Sequence, residues 1–286
     1  MIELIKDPRE WQRRCVSARL SGRCIALVPT MGALHEGHLS LLREARRRAD
    51  EGRERGLALA TIFVNPTQFG PSEDLSRYPR DLDGDLARCA VAGIDWVLAP
   101  ERPEAVYARE HETWIEVERS SQGLCGARRP GHFRGVATVV AKLFNLSQPH
   151  LAFFGEKDWQ QLQVIRAMVR DLDFAIEVVG LPIVRDPDGL ALSSRNAYLS
   201  ADERRRALAL PAALRAVRDL ARDGQREREP LLALVRRTLE EGGLVVDYVE
   251  LVDAALRPAA RAERGTRLLG AVFAGATRLI DNVAIP

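Results

Sequence analysis

Cys24-Ile25-Ala26-Leu27-Val28-Pro29-Thr30-Met31-Gly32-Ala33-Leu34-His35-Glu36-Gly37-His38 is the stretch that decides how this chain folds. Its first part is short, continuously apolar and closed by proline, the pattern of a strand buried on both faces. After a turn, Leu39, Leu42, Ala45 and Ala49 recur at helical spacing, while Arg43, Arg46, Arg47 and Arg48 can face water.

The same rhythm continues outward from this unit. Residues 57–64 form a second buried-strand candidate that ends at Asn65-Pro66. A helix is expected over 81–92, with Leu82, Leu86 and Ala90 in register, and Gly93 ends it before a strand at 94–98. Further helices are expected at 136–146 and 159–170, with strands at 151–154 and 176–179. Alternation of this kind predicts an α/β fold with a right-handed parallel sheet. Ligands in such sheets bind beyond the carboxyl ends of the strands, so 30–38 and 65–70 should border one site.

Beyond Val184 the texture changes. Ser200-Ala201-Asp202-Glu203 matches a capping box at the head of a long Arg- and Ala-rich helix that Pro211 should kink. A second helix at 231–241 precedes strand-like runs at 245–251, 267–273 and 277–283. The expectation is two domains, 1–183 with the parallel sheet and 184–286 as a smaller α+β domain.

The length of 286 residues suits two unequal domains, and 46% hydrophobic with 29% charged residues indicates a globular chain able to bury a core. Forty-two basic against 40 acidic side chains leave a net charge of +2, so no global field points to nucleic acid or an acidic membrane. No run approaches the roughly 20 apolar residues of a membrane span, and the opening residues lack a secretory signal's apolar stretch. A cytoplasmic location is expected. Cys15, Cys24, Cys89 and Cys125 lack the short spacings of a zinc or redox site and read as free, mostly buried thiols.

Three segments carry chemistry. His35 and His38 stand three apart at a strand-to-helix junction, where free backbone N–H groups and the helix dipole favour phosphate. Gly37 between them lets a nucleotide approach the backbone. The His-x-Gly-His string resembles the signature of the nucleotidyltransferase superfamily. Gly155-Glu156-Lys157-Asp158 follows a strand, and Lys157 is one of only three lysines, with Lys6 and Lys142. A flexible ammonium suits a phosphate that moves during reaction, and Asp158 either meets ribose hydroxyls or orients Lys157. Leu192-Ser193-Ser194-Arg195 brings hydroxyls and a guanidinium to one loop near the domain junction, a combination that suits a triphosphate. Gln68 and Gln161 offer amides for a neutral, hydroxyl-rich substrate. The basic run 128–135 reads equally well as an anion-facing loop or a solvated connector.

Together, Pro29-Thr-Met-Gly32, His35-Glu-Gly-His38, Phe63-Val-Asn-Pro-Thr-Gln-Phe69, Arg129-Pro-Gly-His-Phe-Arg-Gly-Val-Ala-Thr138, Gly155-Glu-Lys-Asp158 with Gln160-Gln161, and Leu192-Ser-Ser-Arg-Asn196 resemble the motif set of the pantothenate synthetase family in order and spacing. The resemblance implies a Rossmann-like domain, a smaller C-terminal lid and a homodimer. It implies ATP contacts from Met31, Gly32, Ala33, Leu34, His35, Glu36, Gly37 and His38, from Gly155, Glu156, Lys157 and Asp158, and from Val184, Leu192, Ser193, Ser194 and Arg195. Gln68 and Gln161 would bind pantoate, Gln68 would also meet β-alanine, and His38 would be the catalytic acid. Mg²⁺ would accompany ATP. Family members often place acidic residues near Asp83-Gly84-Asp85 to hold it through water; Gly84 interrupts that run here and leaves Asp85 as the candidate.

The expected reaction is attack of the pantoate carboxylate on the α-phosphorus of ATP, then attack of β-alanine on the pantoyl-adenylate. His35, His38, Lys157, Ser193, Ser194 and Arg195 would meet the charge that builds on the phosphates. Two rivals stand beside it. One is a nucleotidyltransferase that uses a phosphate nucleophile, which would call for more Arg or Lys near Gln68 and Gln161. The other is a nucleotide-binding regulatory module without turnover.

Overall fold

The structure is a computed structural model that describes residues 2–52, 55–71 and 73–286. The chain divides into two compact units, Met1–Glu156 with Val164–Pro182, and Lys157–Gln163 with Ile183–Pro286.

In the first unit the elements run β1 (Glu3–Ile5), α1 (Pro8–Leu20), β2 (Ile25–Thr30), α2 (Glu36–Ala49), β3 (Leu57–Ile62), α3 (Leu82–Val91), β4 (Trp96–Leu98), α4 (Leu124–Arg128), α5 (His132–Ser147), β5 (Leu151–Gly155), α6 (Trp159–Asp171) and β6 (Glu177–Leu181). The first five residues of α6 belong to the second unit. Among the described residues these strands form one six-stranded sheet, ordered β1-β4-β3-β2-β5-β6 and parallel throughout. The chain steps outward from β2 through β3 to β4 and then starts again on the other side at β5, so β2 and β5 flank the topological switch point. Ala26 and Val28 of β2, Ala58 and Ala60 of β3 and Phe153 of β5 pack with Leu42, Ala45 and Ala49 of α2. Small side chains on the strands let that helix lie close. Elsewhere, the fully buried Trp11 of α1 donates its indole N–H to Ser147 Oγ of α5 at 2.9 Å.

Pro29 stands where the β2–β5 ladder ends. In a parallel strand alternate residues bond to opposite neighbours. Leu57 N–H donates to Cys24 O and Phe63 N–H to Thr30 O, so the even-numbered residues of β2 serve β3; His150 N–H donates to Ile25 O, so the odd-numbered ones serve β5. The next donor that side needs after Leu27 is at position 29, and proline has no N–H. The β2–β5 ladder accordingly covers only Ala26↔Leu151 and Leu27↔Ala152, whereas β2 and β3 pair from Ile25↔Leu57 to Thr30↔Ile62.

The second unit holds α7 (Ala201–Ala207), α8 (Ala209–Arg222), α9 (Arg228–Glu241), β7 (Val245–Val252), β8 (Arg267–Ala274) and β9 (Thr277–Ala284). Its sheet is antiparallel in the order β7-β8-β9. Ser200 and Glu203 form the expected capping box. The single kinked helix is instead two helices that break at Leu208. Pro211 cannot donate to the Ala207 carbonyl four residues back, and its ring crowds that carbonyl. Leu210, Leu214 and Val217 of α8 and Val235 and Leu239 of α9 bury their apolar faces with Leu251, Leu268, Val272 and Leu279. No helix among the described residues is long and apolar enough to cross a membrane.

Candidate functional site

The turn after β2 is held in an unusual backbone shape. Gly32 and Ala33 are consecutive left-handed residues, with φ of +84° and +51°. Alanine in that region costs about 1–2 kcal/mol, so something must hold it there. The anchor is Asp85, in the first turn of α3: its carboxylate accepts the N–H of Ala33 at 2.8 Å and of Leu34 at 2.7 Å. A Cβ on residue 32 would lie 2.9 Å from Asp85 Oδ2, which restricts that position to glycine. Asp85 is 1% exposed, and burial pushes its carboxyl above the ordinary value despite the two N–H donors and the charge of Arg88. The carboxylate expected to reach Mg²⁺ through water is therefore turned into the protein and committed to the loop backbone.

Further along, His35 is the N-cap of α2 and forms a capping box with His38. Gly37 N–H donates to His35 Nδ1 at 3.2 Å, and His35 N–H donates to His38 Nδ1 at 3.3 Å. A ring nitrogen that accepts a hydrogen bond carries no proton, so each neutral imidazole keeps its proton on Nε2. The helix start thus brings two imidazoles, each bonded through Nδ1, to its own backbone N–H groups and positive dipole end.

Gln68 sits at the end of a 3₁₀ turn, Pro66–Gln68, after β3. Asn65, 1% exposed, opens that turn: its Oδ1 accepts Thr67 N–H at 3.3 Å and Thr67 Oγ1 at 2.9 Å, and its Nδ2 donates to Gln68 Oε1 at 3.0 Å and to Gly135 O at 3.2 Å. Gln68 Nε2 in turn donates to Met31 Sδ at 3.3 Å. The side-chain amide of Gln68 therefore links the turn after β3 to the loop after β2, as the shared carboxyl edge predicted.

Within the run 128–135, Arg129, His132 and Gly135 pack on the turn that carries Gln68, while Arg128 and Arg134 are exposed. Arg129 forms a bidentate pair with Glu73, at 2.6 and 2.7 Å, and donates to the Gln68 carbonyl at 3.3 Å. Since that carbonyl can only accept, the buried His132 donates to it from Nδ1, at 2.8 Å; its Nε2 then accepts from Arg129 at 3.0 Å. Gly135 allows α5 to press against the same turn, because a Cβ there would fall 2.4 Å from Thr67 O and 2.8 Å from Gln68 N. Asn65, Glu73, Arg129, His132 and Gly135 are thus the setting of Gln68. Of these, the Asn65-Pro66 turn start had a visible signal in sequence; the pairing of Glu73 with Arg129 did not, because it joins residues far apart in the chain.

Gly155 ends β5 within the first unit, and Glu156 begins the short turn that follows. Lys157, Asp158 and Gln161 belong to the second unit. Lys157 Nζ lies 3.9 Å from Asp158 Oδ2. Gln161 stands half-buried in the first turn of α6. Residues 184–192 form a tight hairpin, with Leu192 N–H bonded to Val184 O at 3.0 Å and Arg185 paired with Ala191. Ser193 follows and caps the 3₁₀ turn Ser194–Tyr198 by accepting Arg195 N–H at 3.3 Å. The hairpin thus presents Ser193, Ser194 and Arg195 on one short, hydrogen-bonded loop.

A doubly wound sheet with a paired-histidine helix start beyond its central strand is an architecture suited to a nucleotide-handling α/β enzyme. A model of the pantoate-beta-alanine ligase family matches residues 3–284. The chain belongs to that family. It is 69% identical to the pantothenate synthetase of Anaeromyxobacter dehalogenans, over 99% of each chain. Its structure is similar to that of pantothenate synthetase from Thermus thermophilus, with a TM-score of 0.90 and 44% identity over 99% of each chain. It is also similar, with a TM-score of 0.82 and 29% identity over 99% of this chain and 98% of the other, to the Francisella tularensis pantoate-beta-alanine ligase complexed with β,γ-ATP and β-alanine.

Proposed function

We propose that this chain joins (R)-pantoate to β-alanine with consumption of ATP, through a pantoyl-adenylate. In the first step a pantoate carboxylate oxygen bonds to the α-phosphorus of ATP while the bond to the β-phosphate oxygen breaks, releasing pyrophosphate. In the second, the β-alanine amine bonds to the acyl carbon, AMP leaves and the new amide nitrogen loses its proton.

The observation that carries this reading is the His35–His38 pair. Two Nε2–H donors at a helix start are suited to the charge that grows on phosphoryl oxygens, with no need for a covalent enzyme intermediate. His38 is the proposed catalytic acid in the sense of giving a hydrogen bond from Nε2 to a phosphoryl oxygen, and His35, Lys157, Ser193, Ser194 and Arg195 are its partners in meeting that charge. ATP contacts are assigned to 31–38, 155–158, Val184 and 192–195. Gln68 and Gln161 are the proposed pantoate ligands, and Gln68 also meets β-alanine.

Mg²⁺ is the divalent ion proposed to enter with ATP. No group of three His, Cys, Asp or Glu side chains that could hold a metal exists among the described residues, and each Asp85 oxygen already accepts a backbone N–H. An ion that keeps its waters and rests on substrate phosphates needs no such group. We further propose a cytoplasmic homodimer.

Pyrophosphate exchange into ATP, measured with and without pantoate, tests the reading. Exchange that needs pantoate is expected; exchange that is absent, or indifferent to pantoate, would exclude it.

A further inference from the structure

Strand β9 carries two adjacent buried polar residues, Asp281 and Asn282, each 3% exposed. Such groups are costly to bury unless they are bonded, and strand alternation sends the two side chains to opposite faces of the sheet. On one face, Asn282 Nδ2 donates to the Lys157 carbonyl at 3.0 Å, and Asn282 Oδ1 accepts from Arg267 at 2.5 Å. The guanidinium of Arg267 also lies 3.6 Å from the ring centroid of Trp159, two residues beyond Lys157. On the other face, Asp281 takes Arg185 in a bidentate pair at 2.6 and 2.9 Å, and Arg185 donates to Gly189 O at 3.1 Å inside the 184–192 hairpin. That hairpin is tied to the following turn by Asn196 Nδ2, which donates to Ala191 O at 3.0 Å.

We propose that Asp281-Asn282 is the positioning element for both phosphate-facing segments of the second unit. Asn282 fixes the turn that carries Lys157; Asp281, acting through Arg185, fixes the loop of Ser193, Ser194 and Arg195. The inference rests on the reaction proposed above, and neither residue touches the reacting atoms. Its physical basis is that an ammonium on a flexible four-carbon stem is placed only as well as its backbone is placed. A displacement of about 1 Å at a charge-stabilising group costs on the order of a hundredfold in rate.

Double-mutant cycles test it, because residues that act through one another are non-additive. Asn282→Asp keeps the volume and the acceptor for Arg267 but removes the amide donor to Lys157 O. Expected is a fall of about tenfold or more in the maximal rate of pantoate-dependent pyrophosphate exchange, with KM for ATP and pantoate within about threefold. In a Lys157→Ala background the same change should cost less than about twofold. Asp281→Asn combined with Arg195→Ala is an independent second cycle, which keeps the proposal refutable should Asn282→Asp fail to fold. Wild-type rates in both β9 variants, or equal losses with and without the partner substitution, overturn it. Wild-type exchange that ignores pantoate would overturn the proposed reaction instead, so the two failures are distinct.

Discussion

The rings of His35 and His38 lie with centroids 4.2 Å apart, and His38 Nδ1 accepts the backbone N–H of His35 itself. One imidazole is therefore oriented by the main chain of the other. Their relative placement is set by α2's first turn.

Replacing His38 with alanine removes one of the two Nε2–H donors. Loss of a single donor to developing charge costs roughly a hundred- to a thousandfold in rate, and that loss is expected in pantoate-dependent pyrophosphate exchange. The lost cap should cost only about 1 kcal/mol of stability, visible as a small drop in Tm. Near-normal exchange by the variant would remove His38 from the mechanism.

Gly135→Ala is expected to push the Gln68 turn away from α5, because the added methyl meets Thr67 O at 2.4 Å. Overpacking of this kind costs about 1–3 kcal/mol. If Gln68 binds pantoate, KM for pantoate rises while KM for ATP stays near its starting value. An equal rise in both would argue against that role.

Asp85→Asn tests loop anchor against metal contact. The amide keeps one acceptor but turns an NH₂ toward a backbone N–H, leaving a buried donor unmet at about 1–3 kcal/mol. The prediction is lower Tm and slower turnover with an unchanged Mg²⁺ concentration for half-maximal activity. A large shift in that concentration would restore the metal role.

Glu73 supplies a pH dependence. Burial pushes its carboxyl up, but the hydrogen bonds and charge of Arg129, with Gly70 N–H, outweigh it and hold the group below its ordinary 4.5. A depressed carboxylate stabilises the fold above its unfolded value and loses that contribution as pH falls through the folded one. Tm of the wild type should therefore drop more steeply below about pH 4.5 than that of Glu73→Gln. Parallel curves would show that the Glu73–Arg129 pair adds nothing.

Much of the fold was legible because buried strands and amphipathic helices declare themselves over short windows. The apolar run 24–29 led to β2 within a residue, and the Leu39, Leu42, Ala45, Ala49 spacing led to α2, which begins at Glu36, three residues ahead of Leu39. What stayed hidden is short, weakly patterned or non-local. β1 has three residues, and the buried side of α1, Trp11, Cys15 and Ala18, is diluted by arginines. α5 begins at His132, ahead of the expected 136, because Gly131 at φ +80° forms its N-cap. At the site, His35, Gln68 and Lys157 stood out by local spacing. Asp85 read as a metal candidate, since one-dimensional sequence does not show that its partners are the N–H groups of Ala33 and Leu34, about 50 residues away.

Pro29 has a consequence for how durable this architecture is under mutation. The β2–β5 ladder stops at Leu27↔Ala152 while the β2–β3 ladder runs on to Thr30↔Ile62, and the missing N–H falls where the two part. Drift among the surrounding apolar side chains leaves this difference in place, because it belongs to the main chain. A residue other than proline at position 29 would restore the donor, so the unequal length of the two ladders is encoded by a single ring closure.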